Sequence, residues 1–165
     1  MRYFFLFLTF LFVIEGQKIL ASEQEIHWKG ETLNKEFSGE VTLSKAKLSL
    51  DENLEITLIL SYPQTYFPDI DTIRMNLLKY VGLGEPPFIL EKESEEIHQG
   101  KENGENTQVF RFTLDPQLPG PHFISLYQIP FLPKNPEKDK VVQVISTIFQ
   151  IEITTPQEKE NIKAF

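Results

Sequence analysis

The chain has 165 residues, 41% of them hydrophobic, with 14 Phe, no Cys and a formal net charge of −8. That length holds one ordinary domain with material for a core, which excludes global disorder, and the lack of Cys excludes both a disulfide scaffold and lipoprotein acylation. The acidic balance repels phosphate backbones and anionic headgroups, which excludes nucleic acid as a partner.

Met1 and Arg2 precede an apolar run over residues 3–14 (YFFLFLTFLFVI). Its length is that of a signal-peptide core, short of the roughly 20 residues a spanning helix needs. Gly16, Ala21 and Ser22 offer small residues for cleavage. The sequence therefore predicts a signal peptide over 1–22 and a mature chain beginning between Gln17 and Glu23. That chain is exported, periplasmic or extracellular, with no membrane insertion after cleavage; a retained N-terminal anchor is the alternative. Loss of Arg2, Glu15 and Lys18 leaves 14 basic against 23 acidic residues, a net charge of −9.

Residues 23–38 are polar with isolated apolar residues and read as a lead-in loop to a domain over 39–155. From Gly39 the period is two, with Val41, Leu43, Leu48 and Leu50 as the apolar set. After the turn Asp51-Glu52-Asn53 comes the clearest strand, 54–62. It sets Leu54, Ile56, Leu58, Leu60 and Tyr62 on one face against Glu55, Thr57, Ile59 and Ser61 on the other. Pro63, which cannot donate to a ladder, ends it.

Residues 68–80 fit either a helix or a strand. The spacing of Ile73, Leu77 and Tyr80, with Asp69 or Asp71 as cap, predicts one or two helical turns leading into a strand. Residues 88–92 and 107–114 form a predicted hairpin, with Phe110, Phe112 and Leu114 on one face. The acidic stretch between them, ESEEIHQGKENGEN, reads as a long mobile loop. Residues 122–131 are apolar on both faces, as in a central strand. A final strand covers 141–154, where inward parity passes from Val142 and Val144 to Phe149, Ile151 and Ile153, predicting a bulge near Ser146-Thr147. Residues 156–165 make a charged tail. About seven strands and little helix predict an all-β, antiparallel, immunoglobulin-like sandwich; an open barrel is the alternative.

A Leu-Pro-Gly approach to an alternating strand, FRFTLDPQLPGPHFISLYQIPF, followed past a polar loop by VVQVISTIFQIEIT, resembles the closing half of immunoglobulin-like domains. Gly120 and His122 stand where that fold's "tyrosine corner" places glycine and tyrosine. With the opening SLDENLEITLILSYP, the ending also resembles modules of the bacterial aerotolerance family called BatD, over residues 43–154. The tandem modules and C-terminal membrane helix of a full BatD-like protein have no counterpart here. The resemblance implies a periplasmic sandwich with an envelope scaffolding role and no catalytic residues.

Catalytic and metal signals are weak. There is no G-x-S-x-G, and His27, His98 and His122 lie far apart, unlike paired metal-binding histidines. Asp69-x-Asp71 is the best calcium candidate, but the rest of a six-oxygen set is missing, and capping explains both residues. The sequence thus predicts no enzyme, metal or cofactor. Trp28, Tyr66 and Phe67 are candidate partner-binding aromatics. Over residues 141–149 (VVQVISTIF) no charge guards the final strand, which makes Gln143 and Ser146 candidate contacts at an exposed edge. The expected role is a non-catalytic protein-binding or scaffolding module of the bacterial envelope, its partner another envelope protein or a second copy. The alternative is a carbohydrate-binding module, for which Trp28, Tyr66 and Phe67 must form one flat platform.

Overall fold

The computed structural model describes residues 24–80, 84–100 and 104–156. The segment expected to be a signal peptide and the tail beyond Pro156 lie outside them. The fold is an all-β sandwich with one short helix. The first layer is a five-stranded antiparallel sheet in the order β1-β2-β4-β7-β6. Its strands are β1 (Ile26–Glu31), β2 (Ser38–Leu43), β4 (Leu54–Pro63), β6 (Phe88–Gln99) and β7 (Glu105–Pro116). The second layer comprises β3 (Lys47–Ser49), β5 (Tyr66–Pro68), β8 (Gly120–Ser125), β9 (Gln128–Pro133), β10 (Val142–Ile145) and β11 (Ile148–Thr154). It forms two short sheets, β10-β9-β5 and β3-β11-β8, in which only the β3–β11 pair is parallel.

Strand β4 is as expected: Leu54, Ile56, Leu58, Leu60 and Tyr62 are buried and face Phe110, Phe112 and Leu114 of β7 in a common core. Across the layers Tyr62 and Phe37 pack on Phe131, with ring centroids 5.6 and 5.1 Å apart. Three expectations about the sheets need correction. The lead-in is largely a strand, β1, which pairs with β2 and turns Ile26, Trp28 and Gly30 inward. The acidic stretch after Lys92 is not one long loop. Strands β6 and β7 continue as a paired ribbon to Gln99–Asn106.

The third correction concerns the two closing strands. Each is split, yet the register runs on through the split: Val142 faces Phe131, Ile145 faces Gln128, Ile148 faces Ser125 and Ile153 faces Gly120. The Ser146 N–H donates to the Tyr127 carbonyl at 2.8 Å inside the break. One long hairpin therefore changes its inward face on both strands at once, from Ile129, Phe131 and Val144 to Ile124, Phe149 and Ile151. This is why residues 122–131 look apolar on both sides. A one-strand bulge would have shifted the register, so the expected parity switch is present without the expected bulge.

Helix α1 (Ile70–Leu77) follows β5 directly. Asp69 is its N-cap, accepting from the Thr72 N–H at 3.1 Å and the Thr72 hydroxyl at 2.7 Å. Ile73 and Leu77 are buried. No strand follows the helix within the described residues up to Tyr80, contrary to expectation. Among the described residues no helix is long and apolar enough to cross a membrane.

Candidate functional site: the sheet edges

A two-layer sandwich has two flanks where strand edges are unpaired, and these edges are its natural contact points. On one flank stand β6, β8 and the short β5, on the other β1, β10 and the short β3. The two are treated differently.

On the β6/β8 flank, α1 is pinned to the β6 edge. The Arg74 guanidinium holds Glu93 of β6 through two donors, Nε to Oε2 and Nη2 to Oε1, both at 2.8 Å, and bonds Asp71 with Nη1 at 2.8 Å. The fork geometry fixes the helix against the edge. Glu93, as hydrogen-bond acceptor and then as opposite charge, holds the guanidinium well above its ordinary pKa, so it stays cationic at every accessible pH. Strand β6 also carries Glu91, Glu93, Glu95 and Glu96, which repel an approaching strand. Asp69 is thus occupied as the expected cap, whereas Asp71 caps nothing and is taken up in the ion pair with Arg74. Among the described residues no group of three or more His, Asp or Glu side chains is placed to hold a metal ion.

The β1/β10 flank has no such cover among the described residues. A groove of about 510 Å³ lies there, lined by Glu31, Leu33, Phe37, Val142, Gln143 and Ile145 among others. Leu33 at the β1–β2 turn is fully exposed, and Ile145 is 51% exposed. The hydrogen-bonding class of the β10 edge follows from its partner. Pro130 has no N–H, and its carbonyl accepts from Asp69 at 2.9 Å on the other side of β9. The Gln143–Pro130 pair is therefore the non-hydrogen-bonded kind, and alternation puts Ile145–Gln128 in the same class. Gln143 and Ile145 consequently turn their backbone N–H and C=O groups away from β9, toward the groove. No charged side chain lies on β10.

The sequence-predicted residues fare unequally. Gln143 is exposed on this free edge. Ser146 is not a contact: it is 8% exposed, in the break, and its hydroxyl has no hydrogen-bond partner among the described residues. The expected edge is also shorter than 141–154, because β11 sits between β3 and β8. Trp28 is half-buried. A Cβ on Gly30 would run into its indole, and one on Gly39, the cross-strand partner of Gly30, would meet the ring at 3.6 Å and Ile129 Cδ1 at 3.0 Å. The indole thus lies over a paired-glycine seat and closes the core. Tyr66 is half-buried, edge-on to Phe37 at 4.9 Å, and its hydroxyl donates to the Lys140 carbonyl at 3.1 Å. Burial, foremost, raises the pKa of that hydroxyl. Phe67 is 43% exposed, in a shallow pocket with Leu132, Pro133 and Val141. Being strand neighbours, Tyr66 and Phe67 face opposite ways, and Trp28 belongs to the other layer. The three rings make no common platform.

Sequence reasoning did not single out the outer face of the long hairpin at Phe123, Ile145 and Ile148. All three are more than half exposed. Isolated β-branched residues at outward positions in a run without charge were the available signal. No family model, no curated protein and no solved structure matches this chain.

Proposed function

We propose that this chain is a non-catalytic protein-binding module of the bacterial cell envelope. It takes a strand of another envelope protein, or of a second copy, onto the free edge of β10. The observation that carries this reading is the contrast between β6 and β10: the β6 edge carries glutamates and is pinned to α1 through Arg74 and Glu93, whereas β10 offers unpaired backbone groups at Gln143 and Ile145 with no charge. An edge of that kind favours strand addition, in which main-chain bonds give affinity and alternate side chains give specificity. The apolar run over residues 3–14 supports export, and the patterning shared with BatD modules supports a scaffolding role. The carbohydrate-binding alternative needs an aromatic platform, and the placement of Trp28, Tyr66 and Phe67 supplies no support for it.

The test is Gln143→Lys and Ile145→Lys, both at exposed positions, in the exported protein. Affinity capture from the native envelope should lose its partner, or the sedimenting species should fall from dimer to monomer, with the melting temperature unchanged. Capture and oligomeric state that survive both substitutions would refute the edge reading.

A further inference from the structure

A cleft of about 750 Å³ lies on the opposite flank, between the C-terminal end of α1 and the free edge of β8. Its walls include Tyr80, Pro87, Phe123 and Ile148, with Lys79 and Ser125 as polar groups. It is separate from the β10 groove and shares no lining residue with it.

The backbone of β8 sets what the cleft can hold. Pro121 has no N–H, and its partner Glu152 directs its own N–H to the Ala46 carbonyl at 2.9 Å, on the β3 side. The Pro121–Glu152 pair is therefore non-hydrogen-bonded, and alternation assigns Phe123–Gln150 and Ser125–Ile148 to the same class. Phe123 and Ser125 thus turn their N–H and C=O groups off the sheet edge. These groups make no backbone hydrogen bond outside the strand ladder among the described residues. Donor and acceptor pairs two residues apart are the repeat that an extended chain matches. Beside them are an apolar surface, Phe123 at 61% and Ile148 at 54% exposure, and one cation. Lys79 is exposed and has no ion-pair partner among the described residues, whereas Arg74 of the same helix is committed to Glu93 and Asp71.

We propose that this cleft is a second binding site, for an extended peptide segment of a partner protein. The segment adds antiparallel or parallel to β8, places apolar side chains at alternate positions against Phe123 and Ile148, and sets a carboxylate against the Lys79 ammonium. Main-chain pairing in a groove between a helix and an edge strand accounts for affinity. Lys79, the lysine of the cleft lining, supplies the charge selection.

The probe is an array of random heptapeptides, acetylated and amidated, screened with the intact exported protein. Bound sequences should carry apolar residues at alternate positions and one Asp or Glu. Exchange of that acid for its amide, or Lys79→Gln in the protein, should weaken binding about tenfold. With the best peptide bound, amide hydrogen exchange at Phe123 and Ser125 should slow at least tenfold. The proposal is overturned if no sequence is enriched, if binders lack an acid and ignore Lys79→Gln, or if protection falls on Gln143 and Ile145 instead, which would place the peptide on β10. Protection of Phe123 and Ser125 that rises with protein concentration without peptide would also overturn it, by assigning the edge to a second copy.

Discussion

His122 Nε2 lies 2.9 Å from the carbonyl oxygen of Leu118, four residues earlier, and closes the turn that carries the chain from β7 into β8. A tyrosine hydroxyl makes a comparable bond to upstream backbone in immunoglobulin-like domains. Here an imidazole N–H donates it, while the ring stands edge-on to Phe88 with centroids 6.1 Å apart. Gly120, at φ +114°, supplies the backbone bend that brings the two residues together. His122→Ala should therefore lower stability by about 1–2 kcal/mol, a hydrogen bond together with a ring contact. Phe123→Ser, at the exposed neighbour, should change it by less than about 0.5 kcal/mol. Urea unfolding of the two variants gives the comparison, and equal losses would mean that the corner bond is not structural.

Leu58 lies at the centre of β4 with no exposed surface, between β2 and β7. Truncation leaves a cavity that the surrounding strands cannot close, so Leu58→Ala should cost about 2–5 kcal/mol. The Glu55 side chain on the outer face accepts from the Thr113 hydroxyl at 2.9 Å, and Glu55→Ala should cost well under 1 kcal/mol. Denaturant midpoints at an unchanged m-value would establish the difference, and similar midpoints would contradict the register.

How far the fold is legible in the sequence depends on whether each strand has one buried and one wet face. Strand β4 does, and its alternation from Leu54 to Tyr62 reads directly. The β6–β7 ribbon does not: from Ser94 to Gln99 almost every side chain of β6 is exposed. Glu95 and Glu96 there have no core to alternate against and resemble a loop. Strand β1 does alternate, through Ile26, Trp28 and Gly30, but one of its inward positions is a glycine covered by the neighbouring indole, so its apolar count is low. The double face change in the long hairpin makes Phe123 and Ile129 look like one face, although the first is exposed and the second buried. Of the site, the uncharged stretch over 141–149 was legible. Which of its residues reach the edge was not, because that depends on where β3 and β5 stop covering the hairpin.

Glu52 links the β3–β4 turn to Lys45 and to the Ser49 N–H, at 2.7 and 2.8 Å. The Lys45 bond first and the Ser49 N–H second hold its carboxyl below its ordinary value of 4.5. A carboxylate whose folded pKa is depressed contributes stability above the unfolded pKa and loses it as pH falls through the folded one. Glu52→Gln should therefore melt lower than the parent from neutrality down to about pH 5, and the gap should close below about pH 4. The side chain is 43% exposed, so the gap is small and shrinks in salt. Melting curves across this range test it; a gap that widens toward acid would reverse the assignment.

Ser146 sits where both strands of the long hairpin change face, and its two polar groups have opposite fortunes. The N–H donates to Tyr127 at 2.8 Å, whereas the buried hydroxyl finds no partner among the described residues. A buried polar group without a hydrogen bond costs roughly 1–3 kcal/mol, so removing it leaves the backbone bond intact and relieves that cost. Against this stands the small void left by one oxygen, of the order of a methyl group or less. The first effect is the larger, and Ser146→Ala should raise stability by about 0.5–1 kcal/mol. Ser146→Lys must bury an ammonium in the same space and should prevent folding, whereas Gln143→Lys, three residues earlier on the exposed edge, should be neutral for stability. Thermal and urea unfolding of the three variants separate these outcomes. A loss of more than about 1 kcal/mol in Ser146→Ala would mean that the hydroxyl is bonded, through water, within the break.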